Sequence, residues 1–530
     1  MERLKVSVYD TTLRDGCQAE GISFTVEDKL RIARRLDRMG IDYVEGGWPN
    51  ETNPRDQEVF ARARDEDWQH ARFAAFGSTR RPGIVPEDDT QLGFLVDSGA
   101  PVITIFGKSW DLHVTDVLGT TIEENLQMIE DSMAFLKESG AEVIFDAEHF
   151  FDGYRADPEF AMECLEAAQR GGAEALVLCD TNGGSLPLFI REVTAEAVER
   201  FDVPIGIHCH NDAGLAVANT LLSVEAGATQ VQGTINGYGE RTGNANLCTV
   251  IPNLELKMNA QALPEGGLKR LTELSRWVDE VALVEHNERA PYVGAGSFAH
   301  KGGMHVNAVL KTPTSFEHVE PETVGNERRI LVSDYSGGST IVHKLRHVYP
   351  EVDRKDPRMR DVLAEVKERE HRGYQYEAAE ASFELLARRV FGDYPELFEL
   401  QGFRVIMGKH SEDEDPFAEA TVQLALKLPD GTQSVHTASM GDGPVHALDS
   451  ALRKALVDHY PEITEMHLVD YKVRVLDATE GTGGAVRVLI QTRNNGETWG
   501  TVGVHENIIE ASWQALTDSF VYGIVNARQE

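Results

Sequence analysis

Two histidines placed two residues apart, His208 and His210, are the side chains of this sequence that point to metal chemistry. They end the run I-G-I-H-C-H-N-D (205–212), which is typical of a buried strand. Because alternate residues of a strand share a face, the two imidazoles should lie on one side and Cys209 on the other. The pattern therefore predicts half of a metal site with Cys209 packed in the apolar layer. A hydrogen-bonded histidine pair without a metal is the alternative.

The elements that must position these histidines form a repeating pattern in the first half of the chain. Eight β-rich runs between residues 6 and 236 alternate with amphipathic stretches, and the first stretch, Val26–Met39, begins with a capping-box pattern at Thr25. Eight such units within about 250 residues predict an α/β fold, a (β/α)8 TIM barrel. A doubly wound open sheet is the alternative, but no G-x-G-x-x-G follows the first run.

Polar residues cluster where the predicted strands end, which is the face on which the active sites of such barrels lie. Asp15 follows the first strand on the rim that carries the histidines, so we expect it as the third metal ligand. Asn244, after the eighth strand, can add a neutral oxygen. This donor set suits Mn²⁺, Mg²⁺ or Zn²⁺. The coordination positions left open would accept a 2-oxo acid through its carboxylate and ketone.

Three segments of different pattern divide the chain. We expect the catalytic barrel in residues 1–275, a connector or helical subdomain in 276–400 with one long charged helical stretch at 359–389, and a regulatory domain in 401–530. The last segment contains an approximate repeat of three strands and a helix, with Pro-Asp-Gly (429–431) in one copy and Asn-Asn-Gly (494–496) in the other. This duplicated βββα module of α+β type predicts a small-ligand site between the copies or, equally, a plain dimerisation domain.

Composition excludes several classes of partner. The 87 acidic and 51 basic residues give a net charge of −36, which argues against a nucleic-acid partner because phosphate contacts need a basic face. No apolar run approaches the ~18 residues of a membrane span. The N-terminus has no leader pattern, so we expect no membrane partner and a cytoplasmic location. Five scattered cysteines indicate neither a disulfide framework nor a zinc ribbon.

Several motifs taken together resemble one family over essentially the whole chain. Y-D-T-T-L-R-D-G-C-Q (9–18), H-C-H-N-D (208–212), G-Y-G-E-R-T-G-N (237–244) and the duplicated C-terminal module resemble the family of 2-isopropylmalate, homocitrate and citramalate synthases. The variants A-E-G-I-S-F (19–24), V-E-G-G-W-P (44–49), F-D-A-E-H-F-F-D-G (145–153) and H-K-G-G-M-H-V (300–306) are similar to its citramalate synthase branch.

The resemblance implies a metal-dependent Claisen-type condensation. Acetyl-CoA, as co-substrate, loses an α-proton, the enolate attacks the ketone of pyruvate, and hydrolysis of the thioester releases citramalate and CoA for isoleucine biosynthesis. It also implies a homodimer with isoleucine as a feedback effector. A pocket for pyruvate must close around a methyl group, and Trp48 and Phe150 are bulky candidates for its wall.

The resemblance also implies a role for individual residues of this sequence. It implies four metal ligands: Asp15, His208, His210 and Asn244. It places Arg14 at the ketone oxygen, as both a catalytic and a substrate-binding residue, and it makes Gln18 and Thr181 substrate-binding residues. Glu148 and His300 become the catalytic candidates for proton transfer and water activation. In this family the connector delivers the histidine that His300 matches from the partner subunit.

Three other functions remain open on the sequence. The first is 2-isopropylmalate synthase, which uses 2-oxoisovalerate in leucine biosynthesis. The second is a metal-dependent carbon–carbon lyase of the 3-hydroxy-3-methylglutaryl-CoA lyase type, which shares the Arg-Asp and His-x-His pattern but lacks the duplicated module. The third is an amino-acid sensor without enzymatic activity, which the retention of the rim residues disfavours.

Overall fold

The computed structural model describes residues 3–409, 411–412, 415–477, 483–494 and 496–528. The chain forms two compact units, Met1–Phe298 with Val319–Arg328, and Ala299–His318 with Arg329–Glu530. The boundary expected at residue 275 lies inside a helix, Leu271–Ala282. The first compact unit therefore extends further along the chain than the sequence pattern suggests.

The first unit contains a closed barrel of eight parallel strands, and each strand pairs with its neighbour in sequence order. Strands β1 to β8 are Ser7–Asp10, Tyr43–Gly47, Arg72–Ser78, Val102–Lys108, Glu142–Glu148, Ala175–Asp180, Ile205–Cys209 and Gln230–Gly233. They coincide with the eight β-rich runs and differ from them at the ends, where assignments commonly vary. The predicted barrel is confirmed.

The first unit contains ten described α-helices, and local sequence signals mark both ends of the first one. Helices α1 to α10 are Val26–Met39, Pro54–Ala63, Thr90–Asp97, Ile122–Glu138, Phe150–Ala156, Pro158–Arg170, Pro187–Arg200, Ala216–Glu225, Leu247–Lys257 and Leu271–Ala282. The capping box of α1 is present, since Thr25 and Asp28 satisfy each other's backbone N–H groups. Gly40 ends α1 with φ 97°, a conformation that suits glycine.

Two apolar layers hold the barrel together. The larger one lies between strands and helices and buries residues such as Leu30 and Leu36 of α1 completely. Each such side chain contributes roughly 1.5–3 kcal/mol to the stability of the fold. A smaller cluster combines Tyr9, Val102, Ile144, Val177 and other residues of alternate strand positions. This smaller cluster is the packed interior that is typical of TIM barrels.

The connector is helical, but it is not one long helix. The described helices of this segment are α11 (Gly303–Val309), α12 (Gly338–Leu345), α13 (Arg358–His371) and α14 (Glu380–Phe391). The single helical stretch expected at 359–389 is wrong, because Gly373 takes φ 104° directly after α13 and the chain turns before α14 begins. Charged composition alone gave no signal for this break.

The C-terminal segment contains the predicted duplication. Strands β9 (Phe398–Gly408), β10 (Phe417–Leu428) and β11 (Gly431–Gly441) form an antiparallel sheet followed by α15 (Pro444–Leu456). Strands β12 (His467–Val475), β13 (Val486–Asn494) and β14 (Glu497–His505) form a second one followed by α16 (Ile508–Ala527). Leu428 pairs with Gly431 across the predicted Pro-Asp-Gly turn. Asn495, in the other predicted turn, lies outside the described residues.

The two βββα copies share one apolar core, in which Leu452 of α15 and Leu516 of α16 are both buried. Val502 and Val504 of β14 belong to a different cluster, together with Phe383 and Leu386 of the connector helix α14. The second copy is therefore packed against the connector as well as against the first copy. Among the described helices of the protein, none combines the length and the apolar composition that a membrane span requires.

Candidate metal centre and active site

The end of strand β7 and the residue that follows it place the two histidines at the C-terminal rim of the barrel, as the alternation of side chains predicts. His208 and His210 are both buried, and their ring centroids are 5.3 Å apart. Cys209, between them, is 1% exposed and belongs to the large apolar layer. The interpretation of Cys209 as a packing residue is thus confirmed.

Asp15 lies between the two imidazoles. Its Oδ2 is 3.2 Å from His208 Nε2 and 3.9 Å from His210 Nε2, and all three side chains are buried. Atoms that each bind one ion at about 2.0–2.2 Å are about 3–4 Å apart, so the spacing fits a divalent metal. Two imidazoles and a carboxylate are also the donor types that such ions take in proteins.

Asn244 completes this cluster with an oxygen that has no partner. Its Nδ2 donates to Asp15 Oδ2 at 2.6 Å and lies 3.2 Å from His208 Nε2, whereas its Oδ1 is buried without a hydrogen bond among the described residues. The two ends of a side-chain amide have nearly the same shape. Rotating the amide would present Oδ1 to the histidines and Asp15, which fits a neutral oxygen ligand.

The loop after β8 reaches the site because it folds back on the end of β7. Asn244 forms a β-bridge with His210, and Ala245 N donates to Cys209 O at 2.9 Å. Gly239 and Gly243 have φ angles of 152° and 93°, and a Cβ on Gly239 would lie 1.9 Å from Asn244 Oδ1. The glycines of G-Y-G-E-R-T-G-N therefore allow the close approach that delivers Asn244.

A second layer of polar residues fixes the orientation of His208. His208 Nδ1 donates to Gln232 Oε1 at 2.8 Å, and Gln232 Nε2 donates to Asp146 Oδ1 at 3.1 Å. Because Nδ1 is engaged by Gln232, Nε2, which lies 3.2 Å from Asp15 Oδ2, is the nitrogen available to a metal, and this arrangement supports metal binding. Sequence reasoning missed Gln232, although two glutamines at alternate positions of a buried strand, Gln230 and Gln232, were a usable signal.

Electrostatics favour a charged Asp15 at this position. Burial opposes ionisation, but Arg14 and His208 hold the pKa of Asp15 well below its usual range. Burial also lowers the pKa of His210 to about 4, with the charge of His208 as the next cause. Burial also lowers the pKa of His208, but the hydrogen bond and the charge of Asp15 outweigh burial and raise the pKa of His208 overall. An ionised Asp15 and a neutral His210 are the forms that donate electron pairs to a metal.

Arg14 is held rigidly beside this cluster. Its Nε donates to Glu45 Oε1 at 2.6 Å, its Nη1 is 3.3 Å from Asp15 Oδ1, and its Cζ is 3.7 Å from the ring centroid of Phe76. Burial would lower the pKa of Arg14, but Asp15 and Glu45 raise it above its usual value. Glu45 is fully buried and also accepts a hydrogen bond from Tyr9 at 2.8 Å. Arg14 is thus a permanent, oriented cation.

Several of these groups, but not Asn244, Gln232 or Glu45, line one cavity of about 190 Å³ at the barrel mouth. Its lining includes seven of the predicted site residues: Arg14, Asp15, Gln18, Glu148, Thr181, His208 and His210. Trp48, predicted as a wall residue, is part of it too, and Phe76 and Phe106 were missed. The prediction for Phe150 is wrong, because it starts α5, is 0% exposed, and packs against Phe151 and Tyr154 in the outer layer.

Three predicted residues have defined partners. Glu148 forms an ion pair with Lys108, and the Thr181 hydroxyl accepts a hydrogen bond from His149 N at 2.9 Å. His300 belongs to the second compact unit, where its Nε2 is 3.0 Å from Glu317 Oε1. Lys108 was not anticipated, since only the pairing of β4 with β5 places it opposite Glu148.

Comparison with protein families divides the chain into three matched segments. The HMGL-like model matches residues 5–278, a homocitrate synthase post-HMGL domain-like model matches residues 292–373, and the LeuA allosteric (dimerisation) domain matches residues 377–523. The Asp15, His208 and His210 cluster lies within the first of these segments.

Curated relatives cover nearly the full length. An (R)-citramalate synthase from Aquifex aeolicus is 53% identical over 527 residues, which is 99% of each chain, and one from Geobacter sulfurreducens is 51% identical over 98% of this chain and 97% of its own. A probable 2-isopropylmalate synthase from Methanopyrus kandleri is 32% identical over 98% of each chain. The chain belongs to the (R)-citramalate synthase family.

Proposed function

We propose that this protein is an acyltransferase that condenses acetyl-CoA with pyruvate and hydrolyses the thioester, giving (R)-citramalate and CoA. The supporting observation is that Arg14, Asp15, His208 and His210 converge on one cavity, as the chemistry requires. Five (R)-citramalate synthases that are 44–53% identical to the chain over at least 98% of its length add to this support.

We further propose Asp15, His208, His210 and Asn244 as the ligands of one Mn²⁺, Mg²⁺ or Zn²⁺ ion. When bound, such an ion supplies Lewis-acid polarisation of the ketone. The oriented cation of Arg14 stabilises the negative charge that develops on the ketone oxygen during attack. Thr181 and Gln18 line the same cavity. The Thr181 hydroxyl holds the carboxylate of the 2-oxo acid, and Gln18 lies beside the substrate.

We propose that Glu148 and His300 carry out the proton transfers. Glu148 lines the cavity and is paired with Lys108, so its carboxylate is held in place. His300 is held by Glu317 and is delivered by the connector of the second subunit of a homodimer. Removal of the α-proton of acetyl-CoA and activation of the hydrolytic water both need a base at hydrogen-bond distance.

An aromatic cluster gives a physical reason for a small 2-oxo acid. Trp48 meets Phe76 and Phe106 edge-on, each at a centroid distance of 5.7 Å, and the two phenylalanines stack at 5.6 Å. All three line the cavity. Because such rings hold one another in place, the wall cannot yield easily to the isopropyl group of 2-oxoisovalerate.

A Phe106→Leu variant tests this wall. We expect the ratio of kcat/KM for 2-oxobutyrate to that for pyruvate to rise by about 10-fold to 200-fold, the range for one methylene in an apolar pocket. The measurement is CoA release with both acids. Phe150→Leu is the matched control, since this buried ring lies outside the described lining of the cavity. An unchanged ratio in Phe106→Leu would show that this aromatic wall does not set the preference for pyruvate.

The function itself is tested by CoA release with pyruvate, 2-oxobutyrate and 2-oxoisovalerate, each with and without a chelator. We expect pyruvate to react fastest and the chelator to stop the reaction. Preference for 2-oxoisovalerate would favour 2-isopropylmalate synthase. Acetyl-CoA production from 3-hydroxy-3-methylglutaryl-CoA would favour the lyase, and inactivity with every substrate would favour the sensor.

We propose isoleucine as the feedback effector, bound by the duplicated C-terminal domain. Its test uses the full chain, because deleting residues 401–530 would expose the core that Val502 and Val504 share with the connector. We expect isoleucine to inhibit CoA release at concentrations where leucine and valine do not. Inhibition by leucine alone would instead assign the protein to leucine biosynthesis.

A further inference from the structure

We propose that Lys108 is a further catalytic residue, whose ammonium group stabilises the enolate that acetyl-CoA forms before it attacks the 2-oxo acid. This inference deepens the function proposed above and rests on it. Three features of the structure support it: the pairing of Lys108 with Glu148, the fixed backbone at Lys108, and the shortage of positive charge in the active-site cavity.

Lys108 is the last residue of β4, and the register of the barrel places it directly beside Glu148, the last residue of β5. Each follows a cavity-lining residue by two positions, Phe106 and Asp146 respectively, so both side chains leave their strands on the inner side. Lys108 Nζ forms an ion pair with Glu148 Oε2 and lies 5.3 Å from the ring centroid of Phe106. The ammonium group therefore lies at the edge of the active-site cavity.

The backbone at Lys108 is fixed from outside the barrel. Asn125, a buried residue of α4, donates a hydrogen bond from Nδ2 to Lys108 O at 2.9 Å. The next residue, Ser109, donates from its backbone N to Glu148 O at 3.3 Å. A Cβ on Gly153 of α5 would lie 2.0 Å from Ser109 O, so glycine at this position lets α5 pack against the strand end. The ammonium group consequently moves only as far as the side chain of Lys108 allows.

Enolate formation adds a negative charge to a cavity that already contains several acidic side chains. Four described residues of its lining are acidic: Asp15, Asp146, Glu148 and Glu240. Arg14 is the one permanent cation in the same described lining, and the proposed function assigns it to the ketone oxygen. The thioester oxygen therefore needs a cation of its own, because charge that develops in a partly desolvated site is stabilised by a preorganised group of opposite sign. Lys108 is in position to supply it.

The ion pair balances the charges of this step. Glu148 takes a proton from the methyl group of acetyl-CoA, the C–H electrons form the carbon–carbon double bond of the enolate, and the carbonyl electrons move to the thioester oxygen. The carboxyl group of Glu148 is then neutral, so the ammonium group of Lys108 is released to donate a hydrogen bond to the enolate oxygen. Attack on the ketone forms the new C–C bond, restores the thioester carbonyl and passes the negative charge to the ketone oxygen beside Arg14.

A Lys108→Met variant of the full chain removes the ammonium group and keeps a long side chain. We expect kcat for CoA release to fall by about 10²-fold to 10³-fold, as loss of one donor to a developing oxyanion does, while the KM for pyruvate changes little. With trideuterated acetyl-CoA the kinetic isotope effect on kcat should increase, because proton removal becomes rate-limiting. Lys108→Arg keeps the positive charge and should recover part of kcat. Lys137→Met, which removes a more exposed lysine paired with Glu174, should change none of these quantities.

A double variant separates this role from one in which Lys108 merely holds Glu148 in place. If Lys108 acted only through Glu148, Lys108→Met would have no further effect once Glu148→Gln had removed the carboxylate. We expect the double variant to release CoA at least about tenfold more slowly than Glu148→Gln alone, since a hydrogen bond to a charged group is lost in addition. Equal rates in these two variants, or full activity in Lys108→Met, would overturn the proposal.

Binding of an enolate mimic tests the same interaction without turnover. Carboxymethyl-CoA carries a carboxylate where the enolate forms, and acetonyl-CoA is an uncharged ketone of similar size. In the Glu148→Gln background, whose amide stands for the protonated carboxyl group, Lys108→Met should weaken the binding of carboxymethyl-CoA about tenfold or more and leave that of acetonyl-CoA unchanged in calorimetric titration. Equal weakening of both ligands, or of neither, would overturn the proposal. Failure of the wild type to release CoA with any 2-oxo acid would overturn the proposed function, and this titration would still measure what Lys108 binds.

Discussion

A His208→Ala variant is expected to lose the bound divalent ion and to release CoA about a thousandfold more slowly or worse. The residue supplies one of three converging ligand atoms, and its Nδ1 anchors the site to Gln232. Polarisation of the ketone is worth several kcal/mol, and each 1.36 kcal/mol is about a tenfold change in rate. The measurements are CoA release and Mn²⁺ binding. Binding is monitored through the electron paramagnetic resonance signal of the free Mn²⁺ ion.

Cys209→Ala is the matched control for this experiment, since Cys209 is the next residue of the same strand and packs into the apolar layer on the other side. It should retain Mn²⁺ binding and turnover, although a small cavity in the core lowers its stability. Full turnover in His208→Ala, or in wild-type enzyme stripped of metal and assayed in chelator, would contradict the metal-dependent mechanism.

The parts of the site that were predictable from the sequence are those that depend on local periodicity. The period of two in a strand separates His208 and His210 from Cys209, and the rule that barrel chemistry lies at the strand ends selects Asp15. These three ligand types converge in the structure as expected. No knowledge of long-range contacts was needed for them.

The parts that were missed depend on how the barrel closes. Glu45 and Arg14 meet because β1 and β2 are neighbours, and Gln232 meets His208 because β8 pairs with β7. Phe76 and Phe106 form a wall only when β3 and β4 lie side by side. These pairings join residues 24 to 31 positions apart, and no local pattern in the chain specifies which residues meet.

The second large effect is expected from Arg14→Gln, which should lower kcat for condensation by about 10²-fold to 10³-fold, as removal of a preorganised charge-stabilising donor does. The KM for pyruvate should change much less, because the charge on the ketone oxygen develops during attack. Steady-state kinetics of CoA release measure both. Arg35→Gln, which removes a surface arginine paired with Glu273, should change neither.

A low kcat in Arg14→Gln could come from lost stability or from lost chemistry, and a second substitution separates the two causes. Loss of the arginine leaves Glu45 buried and unpaired, and an uncompensated buried charge can cost about 3–5 kcal/mol of stability. Adding Glu45→Gln removes that charge, so the double variant should regain most of the lost stability in thermal unfolding. Its kcat should stay as low as that of Arg14→Gln, because Glu45 acts on the substrate through Arg14 and does not line the cavity. Recovery of kcat together with stability would show instead that Arg14 supports the fold and takes no part in the chemistry.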